Sequence, residues 1–240
     1  MRYDTLIKKS VEGQGVMLKS EDIAKYIDHT LLASNATEDK IIQLCKEAVE
    51  YSFASVCVNS CWTKLCSDLV KDSNVKVCTV VGFPLGAMKS ESKAYEASVA
   101  IQDGADEIDM VINVGFLKDG KLDEVERDIM LVKEACKDTL LKVIIETCLL
   151  SDEEKESVCR VAVNAKADFV KTSTGFSTGG ATESDVALMR NVVKDALGVK
   201  ASGGVRSYET AVAMISSGAT RLGTSSSIAI VQGAASHGAY

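Results

Sequence analysis

Short apolar runs rich in β-branched residues recur eight times along this chain, and that recurrence limits the fold more than any other feature. They fall at 27–32 (IDHTLL), 54–58 (ASVCV), 75–81 (VKVCTVV) and 106–114 (DEIDMVINV). They continue at 140–146 (LLKVIIE), 167–172 (ADFVKT), 197–202 (LGVKAS) and 220–224 (TRLGT). Segments with helical apolar spacing lie between them: Ile41, Leu44, Cys45 and Ala48 within 37–50, and Leu122, Val125, Ile129 and Val132 within 121–137. Thr37 and Ser151 occupy N-cap positions, and Ser151 has Glu154 three residues on, the spacing of a capping box. Successive strands start roughly 20–35 residues apart, about one βα unit.

Eight strands alternating with helices, without a linker-like segment, predict a single (β/α)8 barrel domain over 1–240. Residues 1–20 are expected to add an N-terminal helix covering one barrel end, and 232–240 to form a C-terminal tail. A doubly wound open sheet is the alternative, which periodicity does not separate from a barrel. With 46% hydrophobic residues, a chain of 240 buries roughly 70–75% of its unfolded surface.

Composition narrows the chemistry. The formal net charge is −7 and no basic run has the length that tracks nucleic acid, so a nucleic-acid partner is not expected. No stretch approaches the ~18 apolar residues of a membrane span, and none in 1–20 resembles a secretory signal. The eight cysteines lack paired CxxC spacing, which fits reduced thiols in the cytoplasm and no zinc site. His29 and His237 are the only histidines; a hydrogen-bonded strand residue is the expected role of His29. GFLKDGKL (115–122) nearly matches the phosphate-loop pattern, but Leu122 replaces the hydroxyl that would bind Mg²⁺. No GxGxxG follows a strand. Neither a metal nor a nucleotide cofactor is indicated.

What remains is a set of charged residues in strands: Asp28, Asp109, Lys142, Glu146, Lys171 and Lys200. One such residue usually faces water. Three lysines embedded in three consecutive apolar strands are different, because a barrel would converge them at its C-terminal mouth. A free lysine has a pKa of about 10.4, so only about one in a few thousand is a neutral nucleophile at pH 7. A second ammonium ~4 Å away disfavours the charged form by roughly 4 kcal/mol at an effective dielectric near 20. Paired interior lysines can thus make one amine nucleophilic, suited to a Schiff base with a carbonyl compound. Asp109, between Ile108 and Met110 and on the same face as Glu107, is placed either to shuttle protons or to hold a lysine in an ion pair. SGGVRS (202–207) and GTSSS (223–227) follow the seventh and eighth strands, where such barrels hold phosphate.

ADFVKTSTGF, VKASGGVRS, GADEIDMVINVG, LKVIIET and RLGTSSS together resemble the deoxyribose-phosphate aldolase family, and the likeness runs from residue 27 to the last strand. The resemblance implies a TIM barrel and a class I, cofactor-independent aldolase. It would reversibly cleave 2-deoxy-D-ribose 5-phosphate to D-glyceraldehyde 3-phosphate and acetaldehyde, in deoxyribose phosphate catabolism. By motif, Lys171 forms the Schiff base, Lys200 perturbs it and donates protons, Asp109 is the general acid/base and Lys142 joins the network. Gly203, Gly204, Ser225 and Ser226 match phosphate contacts, and Thr174 matches a hydroxyl near the substrate. Tyr240 matches a C-terminal tyrosine that assists proton transfer in some members; a disordered tail is its other reading. Phe176 stands where some relatives carry Lys, removing one cation from the phosphate side. Cys57 is expected near the site as a core thiol. Small phosphorylated sugars and aldehydes are the implied partners, with a homodimer as the expected assembly. A lysine-dependent aldolase for another sugar phosphate and a silent sugar-phosphate sensor are the competing functions.

Overall fold

The chain, described by a computed structural model over residues 18–233, closes into an eight-stranded parallel barrel in the order β1 to β8. The strands are β1 (Ile27–Leu31), β2 (Ser55–Val58), β3 (Lys76–Val81), β4 (Glu107–Val111), β5 (Leu140–Ile144), β6 (Phe169–Lys171), β7 (Gly198–Ser202) and β8 (Arg221–Thr224). Closure decides between the two architectures that periodicity left open. Ile27, Asp28 and His29 of β1 pair in parallel with Leu222, Gly223 and Thr224 of β8, so no sheet edge remains.

The helices are α1 (Ser20–Ala24), α2 (Glu38–Glu50), α3 (Thr63–Val70), α4 (Ser90–Gln102), α5 (Val114–Lys118), α6 (Leu122–Cys136), α7 (Asp152–Asn164), α8 (Glu183–Val193), α9 (Tyr208–Ser216) and α10 (Ser227–Val231). The expected N-terminal extension lies outside the described residues except for Leu18, Lys19 and the first residue of α1. The expected tail likewise lies outside them except for Gln232 and Gly233. In α2 the buried residues are Ile41, Leu44, Cys45 and Ala48, the stripe its apolar spacing predicts. In α6, Val125, Ile129 and Val132 are buried, but Leu122 begins the helix and is exposed. The stripe there also holds Asp128, which accepts a hydrogen bond from Lys93 of α4 at 2.6 Å, both side chains being buried. Ser151 completes its capping box with Glu154, whereas Thr37 sits at an N-cap without a side-chain bond. The segment that resembled a phosphate loop forms α5 and the turn after it.

Two cores result from the strand pleat. Outward-facing residues such as Ile108, Met110, Val143, Val170 and Val199 pack under the helices in one continuous cluster. Inside the barrel a small cluster joins Leu32, Cys57, Cys78 and Val80, with Phe83 packed against it. Much of the rest of the interior is charged, with Ser55 and Ser202 among the charges.

Candidate active site

Asp109, the middle residue of β4, is fully buried and is the hub of that interior. Its Oδ2 accepts from Lys171 Nζ at 2.8 Å and from Lys200 Nζ at 2.7 Å. Its Oδ1 accepts from Lys142 Nζ at 2.9 Å and from the Cys78 thiol at 3.1 Å. Strand register makes this possible: Asp109 pairs with Lys142, and Lys171 with Lys200, so period-2 alternation aims all four inward. Below them, Lys142 also donates to Glu107 at 2.5 Å, confirming that Glu107 and Asp109 share a face. Arg221, the first residue of β8, spans both oxygens of Glu107 and donates to Asp28 Oδ1 at 2.7 Å. Asp28 Oδ2 contacts Lys200. Four cations and three carboxylates thus alternate from the barrel floor up to Lys171, which ends β6 and is 2% exposed.

Gly223 lets Lys200 through this crowded interior. A Cβ there would come within 3.0 Å of Lys200 Cε and 2.3 Å of Ser202 Oγ.

The charges settle one another. Burial alone would lift Asp109, but the Lys142, Lys171 and Lys200 ammonium groups hold it well below the usual carboxylate range. Burial likewise opposes the charge on Asp28, and Arg221, Lys200 and Lys142 overcome it and lower its pKa. Against burial, Asp109 and Asp28 hold Lys200 well above the ordinary lysine value, and Asp109 heads the groups that raise Lys142. Both catalytic-looking carboxylates therefore rest ionised.

Two groups of close ligand atoms, Cys57–Cys78–Asp109 and Asp28–Cys78–Glu107, have the spacing of a metal site. Their charge environment opposes one. A dication ~4 Å from a lysine ammonium is repelled by roughly 8 kcal/mol at an effective dielectric near 20, and three such groups surround Asp109.

Above Lys171 the loops after β5, β6 and β7 meet. Glu146 was expected in the fifth strand, but β5 ends at Ile144 and Glu146 adopts left-handed backbone with φ 57°. Its Oε2 accepts from the Thr174 hydroxyl at 2.5 Å and its Oε1 from the Thr174 N–H at 3.2 Å. Thr174 Oγ1 in turn accepts from the Phe176 N–H at 3.0 Å. The one hydroxyl proton of Thr174 is directed at Glu146, leaving an acceptor face for any ligand. Phe176 packs edge-on against Phe83 with centroids 5.3 Å apart, which clasps the β3 and β6 loops.

Gly203 and Gly204 follow β7 with φ of 80° and 79°, a turn that L side chains rarely enter. A Cβ on Gly203 would lie 3.0 Å from Gly180 Cα and 3.7 Å from Ser173 Cβ, so this turn abuts the loop bearing Thr174. Ser225 and Ser226 stand between β8 and α10. Thr224 Oγ1 accepts from the Ser226 N–H at 2.9 Å and donates to Val205 O at 2.6 Å, tying the two loops together. The two anion-holder segments are therefore adjacent. Tyr240 lies outside the described residues.

His29 is a hydrogen-bonded strand residue, with Nδ1 2.8 Å from Ser227 Oγ and Nε2 2.8 Å from Glu47 Oε2. Sequence reasoning missed Arg221 and Cys78 as members of the charged interior. Alternation from Val80 would have aimed Cys78 inward; Arg221 faces in by its register with Lys200, which no local spacing gives. It also missed Ser173 and Ser202, two residues beyond Lys171 and Lys200, whose buried hydroxyls have no partner among the described residues.

Comparison with known proteins places this geometry in a lineage. Residues 23–236 match the DeoC/LacD family aldolase model. The chain is 61% identical over 216 residues to a deoxyribose-phosphate aldolase of Streptococcus gordonii, covering 90% of this chain and 98% of that one. It is 59% identical over 220 residues to another from a Geobacillus species, covering 91% and 99%. A solved structure from Coccidioides immitis, described as a putative deoxyribose-phosphate aldolase, superposes with a TM-score of 0.87 at 40% identity over 95% of each chain. A tetrameric deoxyribose phosphate aldolase from Aeropyrum pernix does so at 0.84 and 34% identity, over 97% of each chain.

Proposed function

The chain belongs to the DeoC/LacD family of aldolases, and from that premise we propose that it reversibly cleaves 2-deoxy-D-ribose 5-phosphate to D-glyceraldehyde 3-phosphate and acetaldehyde through a Schiff base on Lys171. One observation carries the residue assignment: two lysines from adjacent strands present their ammonium groups to the same oxygen of a buried carboxylate.

In the cleavage direction Lys171 sheds a proton into the Asp109–Lys200 pair, and its free amine attacks the sugar C1 carbonyl. Asp109, ionised at rest, is the base arm, and the Lys200 ammonium supplies the proton with which the carbinolamine loses water. The iminium then withdraws electrons as the C–C bond breaks, and the C3 hydroxyl becomes the aldehyde of the departing triose phosphate. Protonation of the enamine and hydrolysis release acetaldehyde and restore the amine. Lys142, bridging Glu107 and Asp109, keeps that carboxylate fixed between its partners.

The phosphate is read as lying between Gly203–Gly204 and Ser225–Ser226, with the acceptor face of Thr174 toward a sugar hydroxyl. Tyr240 is read as a proton carrier at the enamine carbon. No cofactor or metal takes part in this scheme. A cytoplasmic homodimer completes the reading; a dimeric mass by light scattering in solution tests the assembly.

Borohydride added with deoxyribose 5-phosphate should trap one adduct, located on Lys171 by peptide mass spectrometry. An adduct on another lysine, or none, sinks the assignment. Lys171→Leu should abolish trapping and turnover together.

A further inference from the structure

Beyond the aldol chemistry, the interior holds a feature that this chemistry does not use. Cys57 of β2 and Cys78 of β3 are directly paired in register and both point into the barrel. Adjacent parallel strands set their Cα atoms about 4.7–4.9 Å apart, inside the 4.4–6.8 Å range that disulfides span. Their sulfurs and the nearest Asp109 oxygen lie within 4.8 Å of one another. We propose that Cys57 and Cys78 form a reversible thiol–disulfide pair under Asp109, closed by a hydroperoxide and opened by a reducing thiol.

The two sulfurs are unequal, as such a pair requires. The neighbouring Cys78 thiol draws the Cys57 thiol down to about 7; Lys200 and Lys171 act the same way, and burial and Asp109 act against them. Burial, with Cys57 and Asp109 close by, holds Cys78 well above the usual thiol value. Cys57 is thus the attacking sulfur and Cys78 the resolving one. The Cys57 thiolate attacks one peroxide oxygen; the S–O bond forms, the O–O bond breaks, and the departing hydroxide leaves as water with the proton that Cys57 gave up on ionising. Cys78 then attacks the Cys57 sulfur, forming S–S and breaking S–O, and its proton departs with the second water. Two thiols are oxidised and one hydrogen peroxide is reduced to two waters.

Closure would act on the candidate site through Asp109. Cys78 now donates to Asp109 Oδ1 at 3.1 Å and accepts from Lys142 at 3.4 Å. As a disulfide sulfur it has no proton to donate and is drawn toward β2, so the carboxylate that orients Lys171 loses one of its four donors.

The test treats the full-length enzyme with excess hydrogen peroxide, caps remaining thiols and maps the peptides without reduction. The expected result is a peptide pair joined through Cys57 and Cys78. Activity should fall roughly tenfold, the cost of one lost bond to a charged group, and return with dithiothreitol. Cys57→Ala and Cys78→Ala, each compared oxidised against reduced, should lose the peroxide response. Finding Cys57 and Cys78 still as thiols, oxidised singly, or bypassed by a bridge between the buried Cys45 and Cys66 overturns the proposal. So does an undiminished peroxide response in either variant. The peptide map reads the bridge whatever the enzyme's substrate, so its failure is distinct from failure of the aldolase reading.

Discussion

Glu146 illustrates how much one residue can carry. A non-glycine residue in left-handed backbone is disfavoured, and the compensation visible here is a buried carboxylate receiving both polar groups of Thr174. Glu146→Gln keeps the shape but offers one acceptor oxygen where two are used. Losing a bond to a charged group costs about 1.5–3 kcal/mol, so kcat/KM for deoxyribose 5-phosphate should fall roughly tenfold or more. Borohydride trapping at saturating substrate should persist, because Lys171 is untouched; loss of trapping would mean that Glu146 acts on the lysine itself. Glu146 was legible in LKVIIET as a polar end to an apolar run. Its partner was not, because Thr174 lies across a strand-to-strand gap that no local spacing encodes.

At the scale of elements, helix ends and helix pairs contribute separately. Ser151→Ala removes the capping box of α7 and should cost about 1 kcal/mol. That corresponds to roughly 2–4 °C in Tm for a domain of this size, with activity unchanged, readable by calorimetry. The Lys93–Asp128 pair between α4 and α6 is of another kind. Both side chains are buried, and Lys93 also donates to Val111 O at 2.9 Å, at the end of the strand bearing Asp109. Lys93→Met alone strands a buried carboxylate and should cost about 3–5 kcal/mol in denaturant unfolding; adding Asp128→Leu should recover most of it. A single variant as mild as the double one would refute the pairing argument. The helical periodicity of α6 was legible, but Asp128 within its apolar stripe reads from sequence as a flaw. Only the facing lysine gives it a reason.

Across the whole molecule, the charged interior links stability to pH. Asp28 and Asp109, lowered below their usual 3.8, stabilise the fold above that value and lose the contribution as acid protonates them. Lys142 and Lys200, raised above 10.5, contribute fully below that value and lose it as alkali deprotonates them. The Tm should therefore fall below roughly pH 5 and above roughly pH 10, and stay level between about pH 5 and pH 6. It should rise slightly from about pH 7 to pH 9 as the lowered Cys57 thiol ionises. A steady slope through neutrality would show that other groups control stability. Eight βα units, the apolar face of α2, most of that of α6 and the lysines within apolar strands all follow from periodicity, because strand and helix repeats are local properties of the chain. The motifs of residues 167–176 and 199–207 also mark the candidate nucleophile and its neighbour, each within a single short segment. Closure of the barrel, the gathering of Lys142, Lys171 and Lys200 around one carboxylate, and the role of Arg221 beneath them were decided only in three dimensions. Each depends on register between strands far apart in sequence, and register is fixed by packing of the whole barrel, not by any one segment of it.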